Sequence, residues 1–183
     1  TVNDGRLLPR IGLEFGALTH RQIDYDSGKP VQKSYGFDFF HEMAMSDDGS
    51  AVAEALLRPP LLSSDPTAQK LLFARVVPKG ASDAGVAWHA IEAYDFGMKR
   101  AVMIGPMVVD QGMPTADTLQ LEGLPQELLF ELQKMQALGT VSGTGDKALL
   151  GTLELEVYER GSDGKIRLLE DYRFTNSAIT GLT

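Results

Sequence analysis

Cysteine is absent from the 183-residue chain. Its absence excludes disulfide bonds, thiolate nucleophiles and cysteine-ligated zinc, and it favours a reducing compartment. Basic residues are also few, since 17 Lys and Arg against 25 Asp and Glu give a formal net charge of −8. A protein whose main partner is nucleic acid or an anionic membrane gathers its cations on one face, whereas here they are scattered. The composition therefore argues against both partners.

Long apolar runs are lacking as well. The longest, residues 101–109, is interrupted by Gly105 and Pro106, whereas a membrane-spanning helix needs about 20 consecutive apolar residues. No apolar segment of the signal-peptide kind follows Thr1. We expect no membrane insertion, and a location in the cytoplasm or in an assembled particle. A chain of this length can bury one core, so we predict a single β-rich domain over residues 1–183.

The most regular pattern lies near the C-terminus, where residues 147–182 alternate between apolar and polar side chains. Such alternation is typical of strands with one buried face. Between the two halves, Asp163-Gly164 supplies the positive φ of a tight turn. We therefore predict a long β-hairpin. In its second arm, one face is predicted to carry Ile166, Leu168, Tyr172 and Phe174.

Two helices are predicted beside the strands. The first covers about residues 50–58, because Asp47-Asp48 can cap it, its residues are good helix formers, and Pro59 stops it. The second covers about residues 125–138, where leucines recur at helical spacing before Gly139. Further strands are predicted over residues 10–16, 32–45, 71–77 and 86–96. The predicted fold class is α+β and β-rich, an antiparallel barrel or sandwich with two flanking helices.

The three histidines offer little for catalysis. His20, His41 and His89 lie in different segments without the close spacing of zinc ligands, so we predict no metal site, and no motif indicates a cofactor. A lone histidine in a strand is more often a hydrogen-bonded structural residue than a general base. We rank His89, beside Trp88, and His41, beside Glu42, above His20 as functional candidates.

One alternative gives His89 a role. The protein could be a small-molecule-binding β-barrel or a cyclase- or isomerase-like enzyme, whose function would depend on an apolar cavity. In this alternative His89 is the polar group and the only catalytic candidate. The cavity would be lined by Trp88, Tyr94, Phe96, Met103 and Met107.

The leading hypothesis comes from the end of the chain. Residues 168–180, with the sequence LLEDYRFTNSAIT, resemble the closing strand of tube-forming proteins, the family of the phage tail-tube proteins and the haemolysin-coregulated protein of type VI secretion. This resemblance implies a ring-forming subunit, commonly hexameric, that stacks into a hollow tube. Long alternating strands also offer backbone groups for pairing between subunits. We therefore expect a non-enzymatic structural subunit whose main partner is itself.

Overall fold

The computed structural model describes residues 2–3, 6–7, 9–26, 28–39, 41, 43–57, 69–104, 109–116, 118–139 and 149–182. Strands predominate, and the described residues contain one helix, α1 (Gln126–Gly139), between β12 and β13. The strands are β1 (Val2–Asn3), β2 (Arg6–Leu7), β3 (Arg10–Glu14), β4 (Ala17–Asp24), β5 (Val31–Asp38), β6 (Met43–Ala51), β7 (Lys70–Val77), β8 (His89–Ile91), β9 (Ala93–Asp95), β10 (Met98–Ile104), β11 (Val109–Ala116), β12 (Leu119–Glu122), β13 (Leu149–Arg160) and β14 (Ile166–Leu182).

Ten of these strands form one sheet, and all the described pairings are antiparallel. The main path runs β6-β5-β4-β14-β13-β7-β8. The 17-residue strand β14 pairs with β4 through residues 170–175 and with β3 through residues 178–182. Strand β3 also pairs with β12, and β12 pairs with β9. The sheet therefore branches at β14, and the predicted β-rich antiparallel class is confirmed in a sandwich-like form.

The predicted hairpin is formed by β13 and β14. Its turn lies between Arg160 and Ile166, and Gly164 has a φ of 80°. The four apolar side chains predicted to share a face of β14 are all buried, but they divide between two clusters. Tyr172 and Phe174 belong to the larger cluster, and Ile166 and Leu168 belong to the smaller.

A bulge in β14 explains this division. Val157 pairs with Glu170 and Tyr158 pairs with Leu168, so Leu169 is an extra residue in the ladder. An extra residue reverses the faces to which the following side chains point. Val157 accordingly lies in the larger cluster and Tyr158 in the smaller. The sheet thus buries apolar side chains on both faces, at different places along β14.

The helix predicted over residues 125–138 is confirmed as α1. Leu128 and Leu132, one turn apart, are fully buried in the larger cluster together with Leu124. Pro125 lies immediately before α1, and its carbonyl oxygen accepts a hydrogen bond from the Leu129 amide at 3.1 Å. A proline suits this end of a helix because no intrahelical hydrogen bond is lost with its missing N–H. No helix among the residues that the structure describes has the length and apolar character of a membrane crossing.

The helix predicted over residues 50–58 is wrong for the residues described. Ser50 and Ala51 end β6, residues 52–57 form no helix and make one isolated β-bridge, between Leu56 and Arg167, and residue 58 lies outside the described ranges. The amide of Leu57 donates to Ile166 O at 2.9 Å, and Ala55 O accepts the amide of Leu168 at 2.8 Å. A helix of so few residues is marginal by itself. Backbone partners on β14 and burial beside the smaller cluster therefore outweigh helix propensity.

Two strand predictions were also too long. Residues 32–45 form parts of two strands, β5 and β6, because the chain reverses between Asp38 and Met43. Residues 86–96 contain two short strands, β8 and β9, which pair with β7 and β12 respectively. In both cases the apolar pattern runs through the break, so the alternation alone does not reveal it. The strand predicted over residues 71–77 is confirmed as β7, and the one predicted over residues 10–16 is confirmed as β3, which ends at Glu14.

Gly151 should be the glycine of the hairpin that tolerates a side chain least. It has a φ of 108°, and an added Cβ would lie 2.6 Å from Lys79 N, 2.8 Å from Pro78 C and closer still to Val77 O. Gly164 has a φ of 80° with nothing within 4 Å of an added Cβ. We expect Gly151→Ala to lower the free energy of unfolding by about 3 kcal/mol and Gly164→Ala by about 1 kcal/mol. Urea unfolding measures both, and equal losses would contradict the close approach of the backbone at residues 77–79 to Gly151.

Candidate functional site

Strand β6 forms one end of the main path of the sheet. Within the described ranges its one strand partner is β5, which leaves its outer backbone groups without a strand partner. Every residue of β6 whose burial is described is exposed. Met43 and Met45 are exposed by 61% and 69%, which is unusual for large apolar side chains. We call the segment Met43–Ser46 the open edge.

The two halves of β6 differ in the features that oppose pairing with a strand of another chain. Natural sheets protect their edge strands with charges and bulges. The second half has such features, since Asp47 and Asp48 carry charge and Gly49, with a φ of 96°, lies at a register shift. The first half, from Met43 to Ser46, has no charged residue, proline or glycine. Its backbone is therefore the part of β6 best suited to accept another strand.

A second notable arrangement surrounds His20, on β4. Its Nε2 lies 3.0 Å from Glu170 Oε2, and its Nδ1 lies 3.1 Å from the Tyr35 hydroxyl. The imidazole stacks on Tyr172 with ring centroids 4.1 Å apart. The Tyr94 hydroxyl donates to Glu170 Oε1 at 3.1 Å. We call these five residues the His20 cluster, and it ties β4, β5, β9 and β14 together.

The cluster holds Glu170 in its ionised form. Burial alone would raise the pKa of Glu170, but hydrogen bonds from His20, Gln22 and Tyr94 outweigh burial and lower it. Burial and the Glu170 charge raise the pKa of Tyr35, so this hydroxyl is held as a phenol. When Nε2–H donates to Glu170, Nδ1 of His20 accepts a hydrogen bond from the Tyr35 hydroxyl, so both ring nitrogens have partners. This geometry is that of a cross-link between strands.

His20 is the histidine that the structure places in a connected network, although the sequence pattern favours His89 and His41 over it as functional candidates. Its partners Tyr35 and Glu170 are 15 and 150 residues away in the chain. The available signal was its position two residues after Leu18 in an alternating strand, because that position is on the buried face. A buried histidine needs hydrogen-bonding partners.

The two other histidines have different surroundings. His41 is exposed, and both its backbone amide and its Nδ1 contact the Asp38 carboxylate, at 3.1 and 2.8 Å, which stabilises the reversal between β5 and β6. Glu42 lies outside the described residues. His89 is largely buried, and its Nε2 lies 3.9 Å from Glu131 Oε2 on α1, beyond hydrogen-bonding distance.

The aromatic residues of the alternative cavity pack in different places. Trp88 packs against the smaller cluster, whereas Tyr94 and Phe96 pack against the larger one. Met103 lies in β10, and Met107 is outside the described residues. The apolar-cavity alternative therefore stays a hypothesis. In the part of the chain that the structure describes, no group of three or more His, Asp or Glu side chains is arranged to hold a metal ion.

Comparisons with known proteins identify no relative: no family model, no curated protein and no solved structure matches this chain.

The His20 cluster should make stability depend on pH through Glu170. Because its pKa is lower in the folded protein, Glu170 stabilises the fold above the ordinary carboxyl pKa of about 4.3, and the contribution disappears as the pH falls through the lower folded value. We expect Glu170→Gln to lower the free energy of unfolding at pH 7 by about 2 kcal/mol. The variant should also lose less stability than the wild type as the pH falls below about 4.3.

Urea unfolding at pH values from neutral to acid measures both effects. Glu159→Gln is the matched control, since Glu159 is an exposed glutamate of the neighbouring strand β13 and should leave the pH dependence unchanged. A Glu170→Gln variant with the stability and acid sensitivity of the wild type would contradict a stabilising role for the cluster.

Proposed function

We propose that this protein is a non-enzymatic structural subunit that self-assembles into a ring or tube, with the open edge of one copy pairing with a strand edge of the next. The observation that carries the proposal is the open edge itself. It combines backbone donors and acceptors that have no strand partner among the described residues, exposed methionines, and a sequence without charge, proline or glycine over Met43–Ser46. Such an edge is a template for strand addition by another chain.

The protective features of the second half of β6 define where the added strand would end. Asp47 is held by hydrogen bonds from Gln32 and Ser50, at 2.9 and 2.7 Å, and these bonds lower its pKa. A fixed charge beside the Gly49 bulge disfavours pairing beyond this point. A defined end to the pairing segment gives a defined register, which a closed ring requires.

The resemblance of residues 168–180 to the closing strand of tube-forming proteins supports the same proposal. These residues lie within β14, the strand at which the sheet branches. A head-to-tail contact between two different edges closes into a ring when the rotation per subunit allows it. A hexamer, as commonly found in tube-forming proteins, is the expected stoichiometry.

Charge on the open edge should prevent assembly. We expect the double variant Met43→Lys, Met45→Lys to remain folded, because both side chains are exposed, and to be monomeric. Lysine on an edge strand opposes strand addition through its charge and its hydration. Light-scattering mass across a range of concentrations and electron microscopy of the wild type and the variant measure the outcome.

Phe130→Lys is the control, since Phe130 is 65% exposed on α1 and the change puts one lysine in place of an exposed apolar side chain away from β6, against two in the double variant. It should assemble as the wild type does. A double variant that assembles normally would show that β6 is not the contact. A wild-type protein that is monomeric at every concentration would refute the assembly function as a whole.

A further inference from the structure

A groove of about 470 Å³ crosses the sheet on the side of Trp88. Its floor is formed by strands β5, β4, β14, β13 and β7, and Trp88 lies at its wall. The volume is within the range of small-molecule sites, roughly 300 to 1,000 Å³. Its floor is charged, unlike the apolar clusters that cover other parts of the sheet. Six ionisable side chains line it: Arg21, Arg75, Arg173, Glu154, Glu156 and Asp171.

The strand register arranges these six side chains in two rows. In the first row, Arg21 pairs with Asp171 across β4 and β14, and Asp171 pairs with Glu156 across β14 and β13. This acidic row has two carboxylates and one guanidinium. Arg21 contacts only Asp171 in it, through Nη2 at 2.5 Å and Nε at 3.1 Å.

In the second row, Glu154 pairs with Arg173 on one side and with Arg75 on the other. Both guanidiniums contact Glu154, at 2.8 and 2.5 Å. This basic row has two guanidiniums and one carboxylate. Arg75 is also placed over the Trp88 ring, 4.5 Å from its centroid, whereas Arg173 is 56% exposed and can direct further N–H groups into the groove.

Among the side chains that line the groove, each row therefore carries one charge in excess when all its groups are ionised, and the two excess charges are opposite in sign. Asp83, outside the lining, lies 3.7 Å from Arg75 Nη2 and offsets part of the positive charge at the Arg75 end of the basic row, on the other side of Glu154 from Arg173. Residues two apart on a strand, such as Asp171 and Arg173, are separated by about 7 Å. Glu156 is the carboxylate with no guanidinium hydrogen bond among those described, and it accepts a hydrogen bond from Tyr158. Burial raises the pKa of Glu156, and the facing Asp171 raises it further against the effect of that hydrogen bond. A bound cation would relieve this repulsion.

We propose that the groove binds a small zwitterion, an amino-acid-like molecule whose ammonium group lies over Glu156 and Asp171 and whose carboxylate lies over Arg173. The guanidinium of Arg173 suits a carboxylate because its planar fork can donate two parallel hydrogen bonds. A molecule with one charge of each sign complements both rows at once. A simple cation complements the acidic row and is repelled by the excess positive charge of the basic row. A simple anion complements the basic row and is repelled by the acidic row.

The test uses 5-aminopentanoate, whose two charges are separated by several methylene groups, with pentanoate and pentylammonium as singly charged controls. The chain has one tryptophan, so the fluorescence of Trp88 reports directly on the groove, and titration calorimetry provides an independent measurement. We expect saturable binding of 5-aminopentanoate, at least about tenfold tighter than either control, because each charged contact contributes about that factor. Absence of saturation in both measurements, or equal binding of a control, would overturn the proposal.

Two variants separate ligand recognition from structure. Arg173→Gln should weaken 5-aminopentanoate about tenfold and leave pentylammonium unchanged, whereas Glu156→Gln should weaken 5-aminopentanoate and leave pentanoate unchanged. A general distortion of the sheet would instead weaken every probe. Glu159→Gln, an exposed change on the same strand as Glu156, should bind like the wild type. If either groove variant binds 5-aminopentanoate with wild-type affinity, the assignment of that row is wrong.

Discussion

Strand β14 is the element on which the rest of the fold depends. Over its 17 residues it pairs with β13 along one side and with β4 and then β3 along the other. Every branch of the ten-stranded sheet therefore connects through its backbone hydrogen bonds. The bulge at Leu169 lets this one strand supply buried side chains to both apolar clusters. Without that extra residue, Leu168 and Tyr172 would face the same side.

The same register determines where the polar chemistry lies. Glu170, beside the bulge, faces His20 on β4 and Tyr94 on β9, and completes a cluster in which buried polar groups satisfy each other. Asp171 and Arg173 point to the opposite face, where Asp171 belongs to the acidic row and Arg173 to the basic row. One strand thus positions a structural network on one face and a charged groove on the other. The period of two in a strand is the cause of this separation.

The edge at β6 and the groove are compatible features of one molecule. The edge offers backbone groups at the end of the sheet, whereas the groove crosses its middle, from β5 to β7. Strand addition at β6 extends the hydrogen-bonded sheet sideways and leaves the central rows accessible from the face. The proposed assembly and the proposed binding of a small zwitterion therefore involve different atoms.

The amino-acid sequence by itself determined the features that depend on neighbours in the chain. Apolar alternation with Asp163-Gly164 specifies the β13–β14 hairpin, and leucines at helical spacing after Pro125 specify α1. The tertiary structure decided the features that depend on distant partners. Residues 52–57 do not form the predicted helix because Ala55 and Leu57 have backbone hydrogen-bond partners on β14. His20 gains its place in a network from Glu170, which is 150 residues away in the chain. The bulge and the charged rows follow from strand register, which local propensity does not encode since it arises only when whole strands pair and bury their apolar faces.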